Sequence, residues 1–265
     1  MKKILTIAGS DSSGGAGIQA DIKTITAFKM YAMSAITSLT AQNTKGVFGV
    51  FDASSDFLAS QIDAICDDIT PDAVKIGMLS NSQIMQTITK SIKKWNLQNV
   101  VLDPVMVATS GGVLMQENAI KTLKNELLPL ARLITPNIFE AQILSQMKIE
   151  NLDDMRKAAI KIAEICKTSV LIKGGHLQDE AVDLLYENDR FFEFANLRIS
   201  TKNTHGTGCT LSSAIACCLG AGASLQEAVG IAKDFVFKAL LWNEQIGHGN
   251  GAIDHYFNIP SIVNL

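Results

Sequence analysis

Six short runs dominate this chain: Lys3–Ala8, Ser34–Leu39, Ala73–Gly77, Val100–Leu102, Leu133–Thr135 and Ser169–Ile172. They are largely apolar or β-branched and show no regular polar alternation. Strands of that kind are buried on both faces, as in a parallel sheet. Each run is stopped by turn-forming or polar residues: Gly9, Thr40–Thr44, Met78-Leu79 after Gly77, Asp103-Pro104, Pro136, and Lys173-Gly174-Gly175-His176. Between the runs the apolar spacing is helical over Ile18–Met30, Phe57–Ile69, Ile84–Trp95, Ala119–Leu130, Ile138–Leu144 and Asp153–Cys166. Strand and helix in repeated alternation define an α/β fold with helices on both sheet faces. The region Val182–Ser200 differs. Its two halves flank Glu187-Asn188-Asp189, which predicts an antiparallel hairpin at a sheet edge. Two helices follow, Thr210–Leu219 and Leu225–Trp242. No linker or repeat interrupts the chain, so residues 1–265 read as a single three-layer α/β domain.

Composition narrows the function. The chain is 47% hydrophobic and 18% charged, as a well-cored soluble protein is. Its net charge is −3 with no basic run, which argues against sequence-independent nucleic-acid binding. The longest apolar stretches are too short to span a membrane. The start, Met1 to Gly9, leads into polar Ser10–Ser13 and does not make a signal peptide. Five cysteines without a CxxC pair argue against a disulfide framework or structural zinc and suit a reducing cytoplasm.

The strand ends carry the chemistry, because ligands of open parallel sheets bind at the carboxyl edge. Gly206-Thr207-Gly208-Cys209 runs from a glycine turn into a helix. Unpaired first-turn N–H groups and the helix dipole there favour an anion, most often a phosphate. Cys209 sits where the helix begins, a place that favours a thiolate. A proton acceptor beside a phosphate cradle suggests phosphoryl transfer to a hydroxyl; the alternative is a buried cysteine after a plain turn. Ser10–Gly17 is glycine-rich but fits neither the Walker spacing nor G-x-G-x-x-G. It forms a phosphate loop or a substrate pocket. Asp21, early in the next helix, can accept hydrogen bonds from a ring amine or simply complement the helix dipole. Gln42 at a strand tip can read the edge of a heterocycle through its amide. Asn137 and Glu140 share a helix face and can hold water around Mg²⁺, or form a capping box. The histidines show no metal-ligand spacing; His205 beside the anion loop has a structural role.

Taken in order, these pieces resemble the hydroxymethylpyrimidine/phosphomethylpyrimidine kinases of thiamine biosynthesis. The resemblance rests on Gly9–Asp21, Ala41–Thr44, Lys75–Leu79, Asp103–Met106, Thr135–Asn137 with Glu140, Lys173–His176 and Thr204–Thr210. It implies a ribokinase-like fold, a three-layer α/β/α sandwich with a mostly parallel sheet, and a homodimer. ATP and Mg²⁺ would serve as phosphoryl donor and metal. Gln42 and Asp21 would bind the aminopyrimidine, with Gly9, Met78 and Val105 lining its pocket. Gly206, Thr207, Gly208 and Cys209 would form the anion hole, with Cys209 taking the hydroxyl proton or orienting the hydroxyl. Asn137 and Glu140 would organise Mg²⁺, and Lys173 and Lys233 would approach the nucleotide phosphates. Val107–Gly112 would be a flap, with Thr109 where many members resembling this chain have Lys. Gly251-Ala252 lacks the proline usual after the glycine. The flap also lacks the second cysteine of the similar pyridoxal kinases, which favours a pyrimidine. Pyridoxal kinase and a non-catalytic pyrimidine-binding regulator are the competing readings; a nicotinamide-dependent oxidoreductase lacks its fingerprint.

Overall fold

A computed structural model describes residues 1–106, 117–175, 181–242 and 244–259. The expected flap, with Thr109, and His176 lie outside the described residues.

The strands are β1 (Lys3–Asp11), β2 (Tyr31–Asn43), β3 (Gly46–Asp52), β4 (Ala73–Ile76), β5 (Val100–Leu102), β6 (Leu133–Ile134), β7 (Ser169–Ile172), β8 (Ala181–Glu187) and β9 (Arg190–Asn196). They form one sheet in the order β3-β2-β1-β4-β5-β6-β7-β8-β9. All pairings from β2 to β7 are parallel. The helices are α1 (Gly17–Ala27), α2 (Ser55–Asp68), α3 (Ser82–Trp95), α4 (Glu117–Thr122), α5 (Ile138–Ser145), α6 (Leu152–Cys166), α7 (Thr207–Ala221) and α8 (Leu225–Leu240). The expected single helix over Ala119–Leu130 is instead α4, a π turn at Leu123–Leu127 and a 3₁₀ turn at Leu128–Leu130. Pro129 has no N–H to continue an α-helical ladder.

The strand pleat divides the core. Leu5, Ile7, Val74, Ile76, Leu102 and Ile134 pack on one face with α2, α3, α5 and α6. Ile4, Ala73, Val101, Leu133 and Leu171 pack on the other with α1, α7 and α8. Both faces of the central strands are therefore dry, which is why their sequences do not alternate. Helix α7 is central to its layer and is buried from Thr210 to Gly220.

The expected hairpin at β8 and β9 is present. A second antiparallel edge is present as well, where β3 pairs with β2. The single expected antiparallel edge is thus corrected to two. Strand β3 is exposed along nearly its whole length, so it carries no alternation to betray it.

The segment after α8 folds back over the start of α7. The Asp254 N–H donates to the Ala239 carbonyl at 3.1 Å, and the His205 N–H donates to the Gly251 carbonyl at 3.0 Å. His255 is 1% exposed, with Nε2 at 2.9 Å from Thr210 Oγ1. Burial pushes its imidazole down to about 4, and the Lys23 charge adds to this. A histidine whose folded pKa is depressed contributes stability above its unfolded value that is lost as pH falls through the window. Between pH ~6.5 and ~4.5 the loss comes to roughly 2–3 kcal/mol. Thermal unfolding should therefore lose more stability over this window in the wild type than in His255→Gln, measured by differential scanning calorimetry.

Candidate active site

The loop before α7 is built by close approach. Gly206 has φ +85°, and a Cβ on it would run into the Gly15 carbonyl. Only glycine satisfies both demands. Thr207 Oγ1 donates to the Thr204 carbonyl at 2.6 Å, and the Thr207 N–H turns toward the same carbonyl at 3.3 Å. The Gly208 and Cys209 N–H groups belong to the first turn, where the helix itself has no preceding acceptor. No side chain caps this end. An anion is the natural partner of such a terminus.

A charged cluster faces that first turn. A Cβ on Gly208 would lie 3.2 Å from Asp103 Oδ2 and 3.3 Å from Lys173 Nζ. Lys173 Nζ donates to Asp103 Oδ1 at 2.6 Å, and Thr135 Oγ1 donates to the same oxygen at 3.0 Å. Burial works against the Lys173 charge, but Asp103 and Glu140 outweigh it and raise its pKa. Glu140 is pushed up to about 7 by burial; Lys173 opposes the shift and Asp103 adds to it. The Asn137 N–H donates to Glu140 Oε2 at 2.8 Å and the Glu140 N–H to Asn137 Oδ1 at 2.9 Å, a complete capping box. The cap reading is therefore realised, and it fixes the Glu140 carboxyl beside Asp103. Among the described residues no group of three or more His, Cys, Asp or Glu stands ready to hold a metal ion directly. Two buried carboxyls are oxygen donors of the kind Mg²⁺ takes through its own waters.

Cys209 is half-buried, and the Gly17 N–H is hydrogen-bonded to its sulfur. Burial raises the thiol pKa; Lys75 pulls it down, while Asp21 and Asp103 push it further up. The direction runs against the thiolate expected at a helix start, with burial as the largest cause.

Asp21 also requires correction. It is fully buried and saturated by protein donors. Lys75 Nζ donates to both of its oxygens at 2.8 Å, Thr6 Oγ1 to Oδ2 at 2.6 Å and Ser213 Oγ to Oδ1 at 2.8 Å. No face of the carboxylate is left to contact an aminopyrimidine. The missed partner is Lys75, 0% exposed and pointing from β4 into the α1/α7 layer. Burial works against the Lys75 charge, but Asp21 chiefly, with Cys209, holds its pKa raised. A lysine inside an otherwise apolar run was the available signal, since a buried charge needs a partner.

The remaining residues spread along the same carboxyl edge. The Met78 methyl lies against Gly9, where a Cβ would approach it to 2.8 Å. Thr37 Oγ1 donates to the Met78 carbonyl at 3.2 Å. Val105 is half-buried and follows Asp103, its N–H donating to the Asp103 carbonyl at 2.9 Å. Gln42 is half-buried on β2, near Thr40 and His205. Lys233 pairs with Asp183 at 2.8 Å, and Asp183 accepts from the Gly174 N–H at 2.9 Å. It thus braces the turn beside Lys173. A cleft of about 340 Å³, lined by Ser200, Thr201, Lys202, Asn203 and Gln245, opens next to the anion loop. Sequence reasoning missed it, because these residues converge only through the returning C-terminal segment. Asp11 was passed over; it is tied at 2.8 Å to His205, the histidine expected to be structural.

An uncapped helix start facing buried carboxyls and a lysine, on a mostly parallel sheet of this order, matches a ribokinase-like phosphotransferase scaffold. Comparison sharpens the class. The phosphomethylpyrimidine kinase family profile matches residues 11–254. The chain is 43% identical to the hydroxymethylpyrimidine/phosphomethylpyrimidine kinase of Bacillus subtilis, covering 96% of this chain and 94% of that one. It is 45% identical to the thiamine biosynthesis bifunctional protein ThiED of Geobacter sulfurreducens over 95% of its own length, but spans only 52% of that protein. Among solved structures, phosphomethylpyrimidine kinase from Clostridium difficile 630 aligns with TM-score 0.82 and 46% identity over 91% of this chain and 100% of that one. An ADP complex of Bacillus subtilis pyridoxal kinase aligns with TM-score 0.89 and 40% identity over 97% and 98%. The chain belongs to the phosphomethylpyrimidine kinase family.

The buried pair makes a sharp test. Removing one member of such a pair typically costs 3–5 kcal/mol, whereas removing both leaves no lone buried charge. Lys75→Met should lose about 3–5 kcal/mol in urea unfolding. The Lys75→Met/Asp21→Asn double variant should recover a large part of it.

Proposed function

We propose that the protein is a hydroxymethylpyrimidine/phosphomethylpyrimidine kinase. It transfers the γ-phosphoryl group of ATP to the hydroxymethyl oxygen of 4-amino-5-hydroxymethyl-2-methylpyrimidine. In a second round it phosphorylates the monophosphate to the pyrophosphate. The observation that carries this reading is the uncapped start of α7, set against Asp103 and Lys173 at the sheet's carboxyl edge. Family membership supplies the substrate class.

The residues divide the work as follows. The Gly208 and Cys209 N–H groups, with Lys173, neutralise charge on the transferring group. Lys233 braces the Lys173–Gly174 turn through Asp183. Asn137 holds Glu140, and Glu140 with Asp103 would hold a hydrated Mg²⁺, which would supply charge neutralisation to the phosphates. The polar cleft at Ser200–Asn203 and Gln245 suits the nucleoside end of ATP. Gln42 reads the aminopyrimidine edge, and Gly9, Met78 and Val105 line its apolar sides. Asp21 supports the site from beneath.

Cys209 positions the hydroxyl, because its raised thiol makes a poor base. The new bond joins the hydroxymethyl oxygen to Pγ as the bond from Pγ to the β-bridging oxygen breaks. In a loose transition state the nucleophile's proton leaves late and passes to a transferred phosphoryl oxygen.

Pyridoxal kinase is the second reading, because solved enzymes of that name share this fold closely. Incubation with ATP, Mg²⁺ and either alcohol, followed by mass spectrometry, separates the two. The pyrimidine alcohol should gain one and then two phosphoryl groups; turnover of pyridoxal alone would reverse the assignment. Cys209→Ala should lower kcat by about 10–100-fold, less than loss of a general base at its upper range. Gln42→Ala should raise KM for the pyrimidine about tenfold or more and leave KM for ATP near wild type.

Two copies pairing through the β2/β3 hairpin is the assembly this reading includes. Leu39, Phe48, Val50 and Phe51 are exposed there, with Phe48 at 70% and Phe51 at 74%. Exposed apolar edge strands of this kind are usually covered in the working protein. A Phe48→Asp/Phe51→Asp variant should sediment as a monomer where the wild type sediments as a dimer. All five cysteines are free thiols. No helix among the described residues is long and apolar enough to cross a membrane.

A further inference from the structure

The loop between β1 and α1 has the glycines of a phosphate loop, and an anion already sits inside it. That anion is the carboxylate of Asp11, 3% exposed. Its Oδ1 accepts from the Ser13 N–H at 2.9 Å and from Ser13 Oγ at 2.7 Å. Its Oδ2 accepts from the N–H groups of Gly15 and Ala16 at 3.1 and 2.8 Å. Backbone N–H groups turned toward one point make an anion-binding nest. Here they are engaged by the chain's own carboxylate and not by a ligand phosphate. Burial works against ionisation, but the hydrogen bonds of His205 and Ser13 together bring Asp11 down to about 2.

The loop that Asp11 shapes touches both halves of the site. Toward the anion loop, Asp11 Oδ2 also accepts from His205 Nε2 at 2.8 Å, and His205 directly precedes Gly206. A Cβ on Gly15 would run into the His205 ring, and a Cβ on Gly206 into the Gly15 carbonyl. Where the β1–α1 loop ends, the Gly17 N–H is hydrogen-bonded to the Cys209 sulfur. Toward the acceptor side, Ser12 Oγ donates to the Gln42 carbonyl at 2.9 Å, and the Gln42 N–H donates to that same Oγ at 3.0 Å. Every hydrogen-bond partner of the Asp11 carboxylate among the described residues is a donor, and three of them are backbone N–H groups that cannot reverse. An asparagine at this position would have the same shape. Its NH₂ group would nevertheless face the Ser13 N–H on one side, or those of Gly15 and Ala16 on the other.

We propose that Asp11 is a positioning residue for phosphoryl transfer: as the internal anion of the β1–α1 loop, it sets the Gly206–Cys209 loop and Gln42 at the separation the reaction needs. The proposal rests on the roles given above to Gln42 and to the start of α7. What the position requires is an acceptor-only group, not merely one of the right size. Without it the loop N–H groups are left facing no acceptor, and the two loops lose their common anchor. A small misplacement of reacting groups slows the reaction strongly, while contacts to the distant nucleoside end of ATP stay in place.

The test uses the isosteric variant Asp11→Asn and the truncation Asp11→Ala, with folding checked by circular dichroism. In Asp11→Asn, kcat on the pyrimidine alcohol should fall about 10–100-fold. Its KM for ATP should stay within about threefold of wild type. Asp11→Ala should lose at least as much. Added formate, which returns a carboxylate to the nest, should raise its kcat about fivefold or more; formamide, of the same shape but carrying an NH₂ group, should not. A purely structural role would lower the melting temperature and leave kcat of the folded protein unchanged, and that result in Asp11→Asn overturns the proposal. No gain from formate, or an equal gain from formamide, overturns it as well. If Asp11→Asn does not fold, the comparison of formate with formamide on Asp11→Ala, refolded in each, decides alone. Failure of the wild-type protein to phosphorylate the pyrimidine alcohol overturns the reading of the site instead, so the two failures are distinct.

Discussion

The buried pair of Lys75 and Asp21 holds this site together. Four elements meet on it: β1 through Thr6, α1 through Asp21, β4 through Lys75 and α7 through Ser213. Two helices face each other there in matched steps of four residues. Gly17 and Asp21 on α1 meet Cys209 and Ser213 on α7. Residues four apart share a helix face, so one contact sets the other. A buried ion pair is a poor source of net stability but a strict source of register. Here the register places the uncapped first turn of α7.

What stands on that register is a division of labour along the carboxyl edge. Asp103, Lys173 and Glu140 form a compact charged group on one side of the α7 start. Gln42, Asp11 and His205 form a hydrogen-bonded group on the other. The glycines between them let the two loops touch, since side chains at Gly15 and Gly206 would collide across the gap. Cys209 lies between the groups, within reach of the Asp21 and Asp103 carboxylates and of the Lys75 and Lys173 charges. Burial is the main reason its thiol pKa is raised, with the two carboxylates adding to it.

The comparison with sequence reasoning is instructive at three residues. Glu140 was legible as a helix cap, and the cap is realised and fixes where the carboxyl lies. Asp21 was legible as a carboxylate near the site, but its direction was not. A helix position says which face a residue takes only when the neighbour across that face is known. That neighbour, Lys75, lies 54 residues further along the chain. His205 looked structural, and it does tie two loops together. Its partner in that tie, Asp11, lies 194 residues away in the chain.

The sequence by itself determined the layer architecture. Non-alternating strands had to be buried on both faces, and the glycine, proline and aspartate stops marked the edge where polar residues gather. It also determined the anion loop, because glycine turns and helix starts are local features. The tertiary structure decided the rest: the second antiparallel edge at β3, the burial of Asp21 and Lys75, and the surroundings that raise the Cys209 thiol. Each depends on charges or hydrogen-bond partners supplied by elements distant in sequence. Electrostatic and hydrogen-bond energies hinge on distance and solvent exclusion, and neither is set until the chain has closed on itself.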